Sequence, residues 1–193
     1  MTSFAVQQGR SSLEVRKDDL YETPEEATLA LLRVEPLRGR IWEPACGRGA
    51  ISRVLSEAGC DVVSTDLVER GFGRGGIDFL MESKAYEGAD IIVTTPPFKL
   101  ADEFVRHALR LTPTVIMLLR WAYAEGAGRS DILDRHLARA WLGRERLPFM
   151  HRDGYEGPKN SNSGAPFAWF VFEQQSRLPD SGFIVRRLSW RTA

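Results

Sequence analysis

The chain has 193 residues, with 26 basic and 26 acidic side chains, so its formal net charge is zero; 43% of the residues are hydrophobic and 27% charged. These proportions describe a globular chain of about one domain and exclude collagen-like, coiled-coil and fully disordered sequences. Balanced charge argues against a whole-surface electrostatic grip on nucleic acid and leaves room for a local basic patch.

Residues 1–18 show no periodicity and read as a flexible arm; 19–193 read as one domain. Residues 1–16 lack the apolar core of a secretion signal. No apolar run approaches the ~20 residues of a membrane span. Cys46 and Cys60 do not make a disulfide framework. A cytoplasmic protein with no membrane contact is expected, with a monomer favoured.

Thr23-Pro24-Glu25-Glu26 reads as a helix start. Thr23 is the expected cap, Pro24 fits the first position, and Glu26 completes a capping box. Ala27, Ala30, Leu31 and Val34 continue the helix to Val34. Arg40–Glu43 reads as a strand ending in the turn Pro44-Ala45-Cys46-Gly47-Arg48-Gly49. Ile51, Val54, Leu55 and Ala58 mark a second helix, and Asp61–Asp66 a second strand.

A glycine-rich loop covers 71–76. The strand Asp90–Thr95 is stopped by Pro96-Pro97. A helix over Leu100–Leu111, a buried strand over Thr114–Leu119 and a helix over Ser130–Ala140 capped by Ser130 follow. Ala140–Leu147, Phe167–Glu173 and Phe183–Trp190 read as strands, and 150–166 as a long polar loop. Alternating strands and helices predict an α/β fold with a largely parallel sheet.

Four features line up in chain order. The Gly47-x-Gly49 turn suits close approach of backbone to a ligand, or simply a tight connection. Asp66 lies 19 residues after Gly47, at a strand end. It suits ribose hydroxyls, a helix cap or a solvated acid. Asp78-Phe79, twelve residues further on, suits the amino edge of an adenine ring or an ordinary turn. Thr95-Pro96-Pro97-Phe98 follows a buried strand. The prolines fix an unusual backbone shape. A hydroxyl, a carbonyl and an aromatic face can then converge on a planar amine; the competing reading is a strand ended by prolines.

This ordered set, from Tyr21 to Phe98, resembles the class I S-adenosylmethionine-dependent methyltransferases. Within them it looks most like the DNA adenine-N6 enzymes, including small phage-type ones. The resemblance implies a single Rossmann-like domain with a largely parallel seven-stranded sheet, helices on both faces and one antiparallel late strand. It implies S-adenosyl-L-methionine as cofactor and DNA as partner.

It also implies roles. Thr23 and the loop of Ala45, Cys46, Gly47 and Gly49 would hold the methionine part of the cofactor. Glu43 would orient that loop or meet the cofactor amine. Asp66 would bind the ribose, Asp78 and Phe79 the adenine, and Tyr21 and Leu67 join this cofactor set. Thr95, the Pro96 carbonyl, Pro97 and Phe98 would hold the target amine and its ring. Thr95 stands where such enzymes usually carry Asn, Asp or Ser. A hydroxyl is shorter and less directional than an amide, and it competes with its own backbone.

Arg120 faces the cleft or makes a structural ion pair. His151, Arg152, Tyr155 and Lys159 belong to a loop that contacts substrate or is merely polar. His107 and His136 read as surface or partly packed residues. No metal is expected, and Cys46 is not expected to be a nucleophile. RNA adenine or a protein glutamine amide fits the same amine pocket. A non-catalytic cofactor-binding module draws its support from Thr95. A nicotinamide dehydrogenase explains Gly47, Gly49 and Asp66 but leaves Pro96-Pro97-Phe98 unused.

Overall fold

The computed structural model describes residues 21–147, 151–152, 163–174 and 182–191. The 1–18 arm, Tyr155 and Lys159 therefore lie outside the described residues.

The chain enters through a short strand β1 (Tyr21–Glu22) and helix α1 (Glu25–Leu32). Strand β2 (Ile41–Glu43), helix α2 (Ala50–Glu57) and strand β3 (Val62–Ser64) follow. Next come strand β4 (Ile91–Thr94), helix α3 (Ala101–Leu111) and strand β5 (Thr114–Arg120). Helix α4 (Ser130–His136) runs into strand β6 (Leu137–Gly143). Strands β7 (His151–Arg152), β8 (Phe167–Glu173) and β9 (Ile184–Leu188) complete the described elements.

Seven strands form one sheet in the order β3-β2-β4-β5-β8-β6-β9. Only β8 runs antiparallel, paired with β5 on one side and β6 on the other. The expected sheet of seven strands with one antiparallel late member is the observed one. A second, two-stranded sheet pairs β1 with β7.

Strand alternation divides the core. Ile41, Val93, Ile116 and Trp169 face α1 and α2, packing on Ala27, Leu31, Ile51 and Leu55. Trp42, Ile92, Met117 and Phe170 face the other way, onto Phe104 and Ala108 of α3 and Ile132 of α4. Strands buried on both faces read as continuous apolar runs, which is why Ile91–Val93 and Val115–Leu119 stand out in the sequence.

Three local expectations need correction. Thr23 does not cap α1: Pro24 is the cap residue and no side chain bonds the first turn. Ser130 is the first residue of α4 rather than its cap, and no side chain caps that helix either. Finally, α4 stops at His136, so 137–140 are strand instead of helix. Leu137, Ala138, Ala140 and Trp141 are all buried. Apolar residues on both sides of a strand give no periodicity that separates it from a buried helix.

Among the described residues, no helix is long and apolar enough to cross a membrane.

Candidate functional site

The chain leaves β2 through α2 to β3 on one side, then returns to β4 on the other side of β2. Such a reversal opens a crevice at the carboxyl ends of the strands, where ligands bind in open α/β sheets. A cavity of about 440 Å³ lies there, within the range of cofactor-sized pockets.

The loop after β2 builds one wall. Gly47 takes a positive φ of 55°, and its N–H donates to Asp66 Oδ2 at 2.8 Å. Gly49, at φ 87°, is the cap residue of α2. It is not among the residues lining this cavity and instead gives the Phe72 ring room to pack, since a Cβ there would stand 2.6 Å from the ring. Pro44 and Ala45 face the cavity.

Glu43 is 2% exposed, and its Oε2 accepts from the Ser52 backbone N–H at 2.9 Å and from the Ser52 hydroxyl. It thus fastens the end of β2 to the first turn of α2. Burial pushes its carboxyl up to about 8, against the opposing pull of the Ser52 bonds. A recess of about 20 Å³ lies beside it, bordered also by Thr23, Gly47 and Thr95.

Cys46 is buried at 3% exposure and its Sγ lies 3.6 Å from the Phe72 carbonyl. Burial, with Glu43 and Asp66 nearby, pushes its thiol up to about 12. A buried thiol shifted in this direction favours its protonated form, which is a poor nucleophile.

Asp66 follows β3. Besides Gly47, it accepts from the Val68 N–H at 2.9 Å. A carboxylate has about four acceptor positions, so capacity remains towards the cavity that Asp66 lines. Leu67, 62% exposed, lies beside it on the same wall. The glycine-rich loop folds back along β3, with Arg74 N–H on the Ser64 carbonyl at 2.9 Å. That return delivers Ile77 and Asp78 to the cavity.

Asp78 lines the cavity and also accepts from the Leu80 N–H at 3.0 Å, capping a short 3-10 turn. Phe79 departs from expectation. Its ring is 2% exposed and meets Trp42 edge-on at 5.2 Å, in the core. The apolar wall comes from Ile77, Leu80 and Phe104 instead.

Beyond β4, Thr95, Pro96, Pro97 and Phe98 all line the cavity. The Thr95 and Thr23 hydroxyl oxygens lie 2.8 Å apart. The Phe98 ring sits 5.1 Å from Tyr21 and 6.0 Å from Phe167, with the Arg120 guanidinium 4.7 Å from its centroid. Arg120 thus stands over the aromatic residue of this wall. His151 and Arg152 pair through β7 with Glu22 and Tyr21. That backbone pairing carries the start of the polar loop to the edge of the site.

Lys99 and Leu100 on the rim, and Arg70 deeper in, also line the cavity. None of the three stands out in the sequence. Lys99 and Leu100 adjoin Phe98, and Arg70 follows Asp66 by one helical-type interval with a 4.0 Å ion pair. His107 lies outside the site, 6% exposed and packed edge-on against Phe79 at 4.9 Å. His136 bonds the Glu173 carbonyl at 3.1 Å.

A seven-stranded sheet with one reversed strand and a crevice at the carboxyl ends of β2 and β4 defines the Rossmann-like methyltransferase fold. The chain is similar to a proposed RNA methyltransferase from Pyrococcus horikoshii, with TM-score 0.57, 13% identity, and 85% of this chain and 89% of that one covered. It is similar to the modification subunit of a proposed type I restriction enzyme from Vibrio vulnificus, with TM-score 0.54 and 13% identity over 87% of this chain and 47% of that one. TehB from Haemophilus influenzae superposes with TM-score 0.51 and 16% identity over 78% of this chain and 62% of that one. The chain thus spans less than two thirds of the latter two, and at these identities the likeness is one of fold. No protein-family model matches the sequence, and no curated protein does.

Proposed function

We propose that the chain is an S-adenosyl-L-methionine-dependent methyltransferase acting on the exocyclic N6 amine of adenine in DNA. One observation carries this reading: Thr95 and Phe98 line the same cavity as Asp66 and Asp78. A site for a nucleoside and a site for a flat amine are therefore continuous.

The donor set suits the cofactor. Asp66 takes the ribose hydroxyls with the acceptor capacity left by Gly47 and Val68. Leu67, Ile77 and Leu80 offer apolar surface to the adenine, and Asp78 accepts from its amino group. The buried Glu43 carboxyl complements a cationic amine placed in the recess beside it. When bound, the cofactor supplies a methyl group on an electrophilic sulfonium.

The chain's own residues place the acceptor. The Thr95 hydroxyl and the Pro96 carbonyl accept from the two amine N–H groups. Phe98 stacks on the ring. Held in this way, the amine nitrogen needs positioning and electrostatic support rather than a covalent enzyme intermediate. A base taken from a duplex costs a few kcal/mol to unstack, and stacking on an aromatic ring returns about 1–3 kcal/mol.

RNA adenine is the second reading, favoured by the similarity to a proposed RNA methyltransferase along most of both chains. The test is transfer from labelled S-adenosylmethionine to unmethylated DNA, RNA and a protein extract, offered separately, with mass spectrometry of the digested products. N6-methyladenine from DNA is the expected result. Label only in RNA or protein replaces the substrate, and no label in any arm overturns the activity.

A further inference from the structure

We propose that Thr23 is a positioning residue for methyl transfer: its oxygen accepts the Thr95 hydroxyl proton and leaves the Thr95 lone pairs to the target amine. The inference rests on the transferase reading above and assigns Thr23 a task different from holding the cofactor.

The geometry begins with the 2.8 Å separation of the two hydroxyl oxygens, which joins residues 72 positions apart. Thr23 is 6% exposed, so water does not compete freely for its oxygen. Its place before Pro24 and Glu26 is that of a helix cap, yet it makes no bond to α1. The first turn closes through the backbone, Ala27 N–H to the Pro24 carbonyl at 3.0 Å. The Thr23 hydroxyl is thereby released to Thr95. Thr94, one residue before, is fully buried and its hydroxyl has no partner among the described residues. Thr95 is the threonine of this pair that lines the cavity.

The chemistry requires a direction for that hydrogen bond. An amine presents N–H donors, and the site must answer with acceptors. An amide side chain at this position carries an acceptor oxygen by construction. A threonine hydroxyl is both donor and acceptor. With its proton turned towards the cavity, it would set donor against donor. With its proton on Thr23, it is an acceptor only, and it is kept from folding back onto its own backbone. Thr23 and Thr95 together then do what one amide does.

The experiment compares wild type, Thr23→Val, Thr23→Ser and the double variant Thr23→Val/Thr95→Asn, with Thr95→Asn alone as its reference. Three quantities are measured: kcat on whichever substrate the wild type methylates, affinity for S-adenosylhomocysteine by calorimetry, and the Thr95 side-chain rotamer in crystals with that product bound. Thr23→Val is expected to lower kcat roughly tenfold, the worth of one lost hydrogen bond. Thr23→Ser restores it. In the Thr95→Asn background the same valine substitution costs little, because the amide needs no proton acceptor. In the Thr23→Val crystal the Thr95 hydroxyl turns away from the cavity.

A valine penalty of equal size in both backgrounds overturns the inference. So does a Thr23→Val variant with unchanged kcat and weakened product affinity alone, which would return Thr23 to simple cofactor contact. If the valine isostere does not fold, Thr23→Ala answers the same questions. A wild type that transfers no methyl group overturns the transferase reading and this inference with it; an active wild type whose kcat is unchanged in Thr23→Val overturns the inference alone.

Discussion

The Asp66 carboxylate accepts the Gly47 N–H at 2.8 Å and so ties the end of one strand to the turn that follows its neighbour. The same side chain lines the cavity. Asp66 is therefore both a brace for the loop and a wall of the site. Asp66→Ala removes the brace and the proposed acceptor for ribose hydroxyls together. A hydrogen bond to a charged group is worth about 1.5–3 kcal/mol, so S-adenosylhomocysteine should bind on the order of ten- to a hundredfold more weakly. Isothermal titration checks this, and unchanged affinity would remove Asp66 from the cofactor set.

Gly49 is constrained twice. Its φ of 87° is one that residues with a side chain rarely adopt, and an added Cβ would press within 2.6 Å of Phe72. Phe72 is in turn held by the Arg53 guanidinium, 4.5 Å from its ring centroid. Gly49→Ala should cost about 1–3 kcal/mol through strain of this kind. Thermal unfolding should show a Tm lower by several degrees. A wild-type Tm would mean that the turn relaxes without cost.

Glu43 makes stability fall with rising pH. Its folded carboxyl titrates at about 8, against an ordinary value of 4.5, because it is buried. The folded protein keeps a proton that the unfolded chain has released. The contribution of this group is full below the ordinary value and is lost as the pH rises through about 8. Glu43→Gln removes that dependence. Between pH 6 and 9 the wild-type Tm should fall by several degrees more than that of Glu43→Gln. A cation in the adjoining recess favours the ionised form, so the wild type should release a proton on binding S-adenosylhomocysteine at pH 7. Calorimetry in buffers of different ionisation enthalpy detects that release.

The sheet is legible in the sequence because its inner strands are buried on both faces and its helices on one. Ile91–Val93 and the α3 pattern of Phe104, Val105 and Ala108 carry their environment in their spacing. The place of Asp66 at a strand end is legible for a different reason: β3 is a half-buried edge strand, but its short apolar run still fixes where the chain turns. Phe79 is not, because adjacency to Asp78 does not say which way a ring points. That choice is made by Trp42 and Phe104, far away in sequence. The pairing of Tyr21 with Arg152 and the contact of Thr23 with Thr95 are also tertiary. Thr23 is hidden further, since Thr-Pro-Glu-Glu satisfies the local rule for a helix cap and gives no sign that its hydroxyl is used elsewhere.

In the proposed site, Phe98 belongs to the acceptor side. It lines the cavity and packs against Tyr21 and Phe167. Phe98→Ala removes a stacking surface worth about 1–3 kcal/mol per base, so kcat/KM for the nucleic acid should drop roughly five- to a hundredfold. Affinity for S-adenosylhomocysteine should fall less than kcat/KM, because Phe98 reaches the proposed cofactor set only through the Tyr21 ring, 5.1 Å away. A parallel loss of both would show that Phe98 holds the site together instead of meeting the base.

Arg120 brings a positive charge to the same ring, with its guanidinium 4.7 Å from the Phe98 centroid. It is exposed at the end of β5, and Lys99 stands on the cavity rim next to Phe98. An exposed cation over an aromatic face is worth only about 0.5–1 kcal/mol, so the fold has little need of this contact. A phosphate chain passing the pocket would have more use for it, because each neutralised phosphate releases counterions. Arg120→Gln should therefore leave Tm nearly unchanged and, with DNA as the proposed substrate, raise KM several-fold at moderate salt. The slope of log affinity against log salt should become shallower by about one unit. Cofactor affinity supplies the internal control. A changed Tm with an unchanged salt slope would make Arg120 a structural partner of Phe98; the shallower slope alone would place a polyanion across the mouth of the site.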